Sequence, residues 1–453
     1  MKKINIIFLS ILCSLYACRK AATNPTEDLN AGGETTVFVE FNNAFQQPAP
    51  NLDSLQSKQH REGDVAFEAK FVTAPATING GLGPLFNQNS CNSCHIKNGS
   101  AAFPETTDNL GGLLFRVSQT GVGMHGEPLG VDGFGGQIQT KATFGKQPEA
   151  NLKITFEEIK NAFPDGENYT LKKPIYEFIN TYRSMNINIL SSPRIAPPIF
   201  GLGLLEAISE ADILKNADVN DTDKDGVSGK PNYVWDVQKQ QKALGRFGWK
   251  AGQPNLFQQA AAAYLDDMGV TNPLFLKDPS FGQPQHDGLP DDPEIDAQTL
   301  KITAFYTQSL GVPAPRRQDD SNIKQGKILF NKIGCQNCHK ASFTTSSTGE
   351  FAFLNNQKIQ PYTDLLLHDM GADLADNRPD FEANGLEWRT PPLWGIGLTR
   401  LVNGHSSFLH DGRARNLTEA ILWHGGEGLQ SRENFKKLTA AERIQLIKFL
   451  DAL

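Results

Sequence analysis

One short pattern, present twice, constrains this chain more than any other feature. C-x-x-C-H stands at residues 91–95 and again at 335–339. The 453-residue chain has six cysteines, and these two motifs use the four that lie beyond residue 18. Two thiols spaced by one helical turn and followed at once by a histidine are the attachment pattern of a c-type haem. This use of the cysteines argues against a disulfide scaffold.

Two other chemistries use paired cysteines. A structural zinc site needs two thiolate pairs close together, and a thioredoxin-like dithiol needs a βαβ context. Neither explains the histidine after both pairs, so both stay minor alternatives. We therefore expect two haem c groups. The predicted thioether residues are Cys91 and Cys94 for the first haem and Cys335 and Cys338 for the second, and the predicted axial ligands are His95 and His339.

The motifs belong to a longer internal repeat. A Leu-Phe pair precedes each motif, similar Pro-rich segments begin at Arg194 and Arg389, and similar helical segments begin at Asn255 and Asn416. The order is the same in both halves, which indicates a duplication. Each half also ends in a predicted helix, one from about Asp296 and one preceded by the capping box Thr439-x-x-Glu442.

A Pro-rich polar linker at 311–321 separates the two halves. We therefore predict haem domains at 55–312 and 323–453. Few stretches alternate apolar and polar residues for long. The predicted fold class is mainly α, with two cytochrome c-like haem domains and long irregular loops.

The first residues predict export. A charged start and a short apolar run, too short to span a bilayer, precede Leu15-Tyr16-Ala17-Cys18. This resembles a bacterial lipobox, which predicts a signal peptide at 1–17, lipidation of Cys18 and a disordered tether at 18–54. An ordinary secretory signal is the alternative. The expected location is outside the cytoplasm, anchored to a bacterial membrane by lipid alone. A net charge of −7 without a basic block disfavours nucleic acid as a partner.

The second axial ligands must come from elsewhere in the chain. In the second half, Asn416 caps a predicted helix whose apolar face ends at His424, which is our predicted ligand for the second haem. His410 is a further candidate for that pocket. For the first haem the candidates are His125, in a glycine-rich loop, then Met124 and Met268; otherwise that site is open.

Other charged residues suggest secondary sites. Arg194 and Arg389 occupy matching places in the repeat, where each would pair a haem propionate or brace a loop. Asp221, Asp223 and Asp225 begin an EF-hand-like loop and are candidate calcium ligands. The twelfth position of that loop is Asn232 rather than a bidentate glutamate, so a solvated acidic turn is the alternative.

The ordered set of motifs resembles the di-haem cytochrome c peroxidase superfamily, and most of all its exported di-haem thiol oxidoreductases. The resemblance covers residues 60–453 and includes Gly245-Arg-Phe-Gly-Trp249, Leu366-Leu-His368-Asp-Met370 and Phe408-Leu-His410-Asp-Gly. It implies electron transfer between two haem domains, with reduction of peroxide or another small oxidant at the first haem. An electron donor or acceptor protein would be the partner. The alternative is a pure electron carrier without a substrate site.

Two residues depart from the peroxidase pattern. Where the peroxidases have a methionine ligand on the second haem, this chain has His424, which lowers the expected potential of that haem. Where they have a catalytic carboxylate, it has Gln258, which cannot act as a general acid or base. Glu206 would substitute only if the fold brings it near. Trp249, Trp394 and Trp423 are candidates for packing between the haems, or else core aromatics.

Overall fold

The computed structural model describes residues 29–107, 109–185 and 188–453. The predicted signal peptide, Cys18 and the first part of the predicted tether lie outside the described residues. Across the described ranges, the helices are too short or too polar for any of them to cross a membrane.

Eleven α-helices are distributed over both halves of the described chain. They are α1 (Ser54–Glu68), α2 (Cys91–Cys94), α3 (Leu202–Glu206), α4 (Glu210–Leu214), α5 (Leu256–Met268), α6 (Ala297–Gln308), α7 (Ser321–Lys332), α8 (Thr399–Asn403), α9 (Leu417–Leu422), α10 (Leu429–Lys437) and α11 (Ala440–Ala452).

The described strands are short, apart from one long hairpin. They are β1 (Thr36–Val37), β2 (Leu85–Phe86), β3 (Leu113–Ser118), β4 (Gln137–Ile138), β5 (Lys141–Ala142), β6 (Asn151–Ala162), β7 (Asn168–Ile179), β8 (Leu190–Ile195), β9 (Tyr233–Asp236), β10 (Gln241–Leu244), β11 (Val312–Pro313), β12 (Phe343–Thr344), β13 (Lys358–Ile359), β14 (Leu367–Asp369) and β15 (Glu387–Arg389). They form a three-stranded sheet, β4-β3-β8, and two-stranded pairs.

The expectation of a mainly α fold is wrong. Helices make up 29% of the protein and strands 19%, in many small sheets, although irregular loops are present. The largest strand pair is β6–β7, whose two strands have twelve residues each. Apolar and polar residues alternate only at the start of β6, at Leu152, Ile154 and Phe156, and the alternation ends at Glu158. Most of the strand is exposed, so it offers no continuous apolar face along its length.

The same helix crossing is built twice. Helix α1 packs on α6, and α7 packs on α11. A Cβ on Gly63 of α1 would stand 2.8 Å from Tyr306 Cβ, and one on Gly326 of α7 would stand 2.7 Å from Phe449 Cβ. Each would also collide with a backbone carbonyl of the partner helix. Glycine therefore allows close backbone contact at both crossings, which agrees with the repeat inferred from sequence.

Residues 29–54, assigned to the tether from sequence, are packed where the structure describes them. Strand β1 pairs in parallel with β11, with Thr36 opposite Val312, inside the region assigned as the linker. Ala44 and Phe45 are buried at 0% and 1% exposure. The largest apolar cluster contains them together with residues of both halves, such as Leu204 and Trp394.

A hairpin extends from the first half onto the second. Its residues are β6, the turn 163–167 and β7, and we call it the arm. Leu152 belongs to a core cluster of the first half, whereas Phe163 and Leu171 belong to the core cluster around α7, α10 and α11. The arm thus contributes to the cores of both halves.

Candidate haem centres

The second motif follows directly from α7. Gly334 takes a left-handed conformation, with φ of 98°, and a 3-10 turn from Cys335 to Asn337 follows it. His339 Nδ1 lies 2.9 Å from the carbonyl oxygen of Tyr362, which leaves Nε2 available for a metal. Burial lowers the pKa of His339 to about 4, so the imidazole is neutral, as ligation requires.

His424 lines the same cavity. The Asn416 side chain caps α9 by accepting from the Glu419 amide at 2.8 Å, and the chain turns at His424 just after this helix. His424 Nδ1 lies 2.7 Å from the carbonyl oxygen of Ala420, so its Nε2 is also available. Burial lowers its pKa as well. Both histidines line one cavity with Cys335 and Cys338.

The donor set of this cavity fits a haem c. Cys335 and Cys338 are free thiols, and burial raises the pKa of Cys335 to about 12. The walls include Phe330, Leu417 and Leu446 beside the two neutral histidines. Two unpaired thiols, two imidazoles and apolar walls are what covalent attachment and axial ligation of a porphyrin need.

Arg389 and His410 also line this cavity. Arg389 is 8% exposed and donates to the carbonyls of Gly248 (2.9 Å) and Thr390 (3.1 Å). These bonds use two of the five N–H groups of a guanidinium, and burial lowers its pKa to about 10. His410 stacks on Trp388 with 3.8 Å between ring centroids. Both residues therefore line the cavity, as a role in the haem pocket would require.

A buried ionic triad next to this cavity was missed from sequence. His368 Nε2 lies 2.9 Å from Asp364 Oδ2, and His368 Nδ1 lies 2.6 Å from Glu427 Oε2 and 3.5 Å from Cys338 Sγ. Burial opposes a charge on His368, but Asp364 raises its pKa well above the usual value. The sequence signal was weak, because Glu427 is far from His368 along the chain.

The first motif repeats the local geometry of the second. The Ser90 side chain caps α2 by accepting from the Ser93 amide at 3.2 Å. His95 Nδ1 lies 2.8 Å from the carbonyl oxygen of Pro197, and burial lowers its pKa to about 4. Burial also raises the pKa of the Cys91 thiol to about 12. This donor set also fits a haem c.

The candidate distal residues of the first haem lie in different surroundings. His125 stacks on Trp235, with ring centroids 3.8 Å apart, and the adjacent Met124 is 91% exposed. Met268 is 2% exposed, in an apolar cluster that Cys91 also contacts.

The two halves differ at the position that carries His424. Asn255 caps α5 as Asn416 caps α9, each accepting from the amide three residues on. In the second half, His424 follows the cap Asn416 by eight residues. In the first half, the residue eight positions after the cap Asn255 is Ala263.

Gln258 and Glu206 brace the entry to α5. Gln258 Oε1 accepts from the Val237 amide at 2.8 Å, and its Nε2 donates to Gln253 Oε1 at 3.0 Å. Glu206 accepts from the Leu256 amide at 2.7 Å and from Gln308 Nε2 at 2.6 Å. Burial raises the pKa of Glu206. Both side chains therefore have structural hydrogen bonds that engage their polar groups.

Arg194 pairs with a protein carboxylate. Its Nη2 lies 2.9 Å from Asp380 Oδ2, in a buried ionic cluster that also contains Arg378 and Lys250. Lys250 is fully buried and donates to Asp376 Oδ1 at 2.7 Å. Arg194 and Arg389, which match in the sequence repeat, thus have different partners.

The three tryptophans named from sequence lie close to the haem sites. Trp249 donates to the Ile195 carbonyl at 2.8 Å, lines the cavity of the second motif and packs on the cluster that Cys94 contacts. Trp394 lines the same cavity. Trp423 is 1% exposed and lies beneath the guanidinium of Arg413, 5.0 Å from its ring centroid.

In the acidic loop, Asp218 rather than the predicted Asp225 lies beside Asp221 and Asp223. Side-chain oxygens of Asp218, Asp221 and Asp223 lie within 4.8 Å of one another. Asp225 instead accepts from Asn337 Nδ2 at 3.1 Å, and Asn232 donates to the Lys250 carbonyl at 2.7 Å. The calcium site stays a prediction.

Comparisons with known proteins give one match. The family described as "Di-haem oxidoreductase, putative peroxidase" matches residues 26–453. Searches of curated proteins and of solved structures find no match.

Proposed function

The chain belongs to the di-haem oxidoreductase family, and from this premise we propose that it transfers electrons between two haem c groups and reduces a small oxidant at the first. The second haem would be held by Cys335, Cys338, His339 and His424. The first would be held by Cys91, Cys94 and His95, with its remaining axial position open to peroxide or another small oxidant.

One observation carries this assignment, the difference between the two copies at the position of His424. His339 and His424 line one cavity with their Nδ1 atoms bonded to backbone carbonyls, which supports the proposal that both would ligate the second haem. The first half has Ala263 at the matching distance from its helix cap. An alanine cannot ligate iron, and this favours the first haem as the place where an external molecule binds.

The chain's own residues orient the reacting groups. A bound haem c would supply one-electron redox chemistry and, where an axial position is open, a site for the oxidant. Backbone carbonyls hold His95, His339 and His424 in fixed orientations. The buried guanidinium of Arg389 is placed to pair a propionate, and Trp249 fills space between the second cavity and the cluster around Cys94.

Spectroscopy of the oxidised protein tests the proposal. We expect two haems c per chain in a pyridine haemochrome assay. Electron paramagnetic resonance should show one low-spin and one high-spin haem, and cyanide should convert the high-spin signal. Two low-spin signals without a response to cyanide or peroxide would instead identify a pure electron carrier. A count below two haems would refute the cofactor assignment.

His424→Ala tests the ligand of the second haem. The variant should turn that haem high-spin and leave the first unchanged. His286→Ala is the matched control, because His286 lies beside Asp278 and Phe281 and is not among the residues that line the second cavity. An unchanged spectrum of His424→Ala would remove His424 as a ligand.

We also propose export and lipid anchoring, on the sequence of residues 1–18 alone. The anchored protein would exchange electrons with a donor or acceptor protein outside the cytoplasm. A radioactive fatty acid fed to cells should label the protein but not the Cys18→Ser variant. A parent protein without label would contradict the anchor.

A further inference from the structure

We propose that the arm of the first half is a positioning element for His424 of the second half. This inference rests on the proposed function, because it takes His424 as an axial ligand of the second haem. The arm would hold the segment 410–424 in place and so slow the release of His424 from the iron.

The base of the arm is fixed in the first half. Leu152 is 3% exposed. Phe115 of β3 makes edge contacts with Tyr176 and Phe178 of β7, with centroids 5.1 and 5.4 Å apart. Phe115 itself is fully buried. The arm therefore has a rigid origin in the core that includes β3 and β8.

The tip of the arm is fixed on the second half. Phe163 is 5% exposed and lies 6.3 Å from the Phe435 ring, centroid to centroid. The Arg443 guanidinium lies 3.9 Å from the Phe163 centroid and donates to Asp165 at 2.8 Å and Glu167 at 2.6 Å. Arg443 is itself 5% exposed, so these two carboxylates neutralise a mostly buried cation.

Between base and tip, the arm contacts the chain just before His424 at two points. Tyr176 Oη donates to Asp411 Oδ2 at 3.1 Å. Arg415 Nη2 donates to the carbonyl of Thr170 at 2.7 Å and also pairs with Glu419 of α9.

The first of these points, Asp411, is linked to the residue next to His424. Asp411 pairs with Arg413 at 2.9 Å, and the Arg413 guanidinium lies over Trp423. A continuous set of contacts therefore runs from the arm to Trp423, the direct neighbour of His424.

Helix α9 needs such support because it has only six residues. A helix this short is not stable by itself in water. Its cap by Asn416 fixes one end, and the tertiary contacts around it must fix its orientation. Helices α10 and α11 provide some of these contacts, and the arm adds others from an element whose base belongs to the other half.

Cyanide binding to the oxidised holoprotein measures this support. With the proposed ligands, cyanide would reach the second iron only when His424 leaves, whereas it would bind the first haem directly. The tip variant Asp165→Asn/Glu167→Gln removes both negative charges that face Arg443. Phe163→Ala added to it removes the aromatic contact. We expect the rate of cyanide binding to the second haem to rise at least ten-fold in the triple variant, with less effect in the double variant.

A matched control carries the same charge change on the same hairpin. Glu157→Gln/Glu177→Gln alters two exposed carboxylates, of which Glu177 pairs only with Lys153 of the arm itself. This variant should bind cyanide like the parent protein. Phe163→Leu, with Asp165 and Glu167 unchanged, keeps an apolar side chain at the tip and should bind cyanide at nearly the parent rate. The first haem should bind cyanide at the same rate in all variants.

The outcomes separate the two proposals. If His424→Ala turns the second haem high-spin but the triple variant keeps the parent cyanide rate, the arm proposal is overturned. If the control accelerates as much as the triple variant, the effect is not specific to the tip and the arm proposal also fails. If His424→Ala leaves the spectrum unchanged, the proposed ligation fails instead.

Discussion

The crossing of α7 and α11 leads to a quantitative prediction for Gly326→Ala. A Cβ at this position would stand 2.7 Å from Phe449 Cβ and would also collide with the Gln445 carbonyl. Favourable carbon–carbon contacts need about 3.5 to 4.0 Å, so the two helices would have to separate by roughly 1 Å.

Two effects of this substitution oppose each other. Alanine is favoured over glycine within a helix by about 1 kcal/mol. Inserting a methyl into a closely packed contact costs typically about 1 to 3 kcal/mol, and here the high end applies because a backbone group must move. We therefore expect a net loss of about 2 kcal/mol in the free energy of unfolding.

Guanidinium unfolding of the holoprotein, followed by haem absorption, measures this loss. Gln325→Ala is the control, since its side chain is exposed on the same helix and should be neutral or slightly stabilising. The spectrum of the second haem should also change, because Phe330 of α7 lies 6.2 Å from the His339 ring. A Gly326→Ala protein as stable as the parent would refute the inferred close contact.

Three further predictions concern buried charges. Lys250→Met leaves Asp376 as an unpaired buried carboxylate and should cost about 3 to 5 kcal/mol in unfolding experiments, while adding Asp376→Asn should recover most of it. Arg194 and Arg378 hold the pKa of Asp380 at about 2 against the raising effect of burial. Because this pKa is below the unfolded value of 3.8, the contribution of about 2 kcal/mol is complete above pH 4 and is lost as the pH falls to 2. Acid unfolding of Asp380→Asn should lack that dependence. Arg389→Gln removes a buried positive charge, so it should lower the second haem's potential in spectroelectrochemistry; an unchanged potential would contradict a contact with that haem.

Local sequence signals predicted the helix ends well. The helix predicted from about Asp296 is α6, which Asp296 caps, and the structure confirms the reciprocal capping box of Thr439 and Glu442 before α11. It also confirms Asn416 as the cap of α9, and His424 lines the same cavity as His339, whereas its role as a ligand stays a prediction. Helix caps and helical spacing depend on residues within a few positions of one another, so they can be read from a single sequence.

Features that depend on distant residues were not predictable in the same way. His368 gains its partner Glu427 only through the fold. The partner of Arg194 is Asp380, which no spacing rule connects to it. The destination of the arm gave no signal, because Leu152 of β6 packs in the core of its own half, whereas Phe163 and Leu171 pack in a core built by the other half.

The arm also affects how the chain folds during synthesis and whether its two halves can be separated. Phe163 and Leu171 are part of the core that surrounds Phe435, although they precede that half in the chain by more than one hundred residues. A chain cut at the linker would leave this core with an exposed apolar groove. The two copies of the duplication are therefore not exchangeable modules, since during synthesis the later half completes its core on a hairpin that was translated with the earlier one.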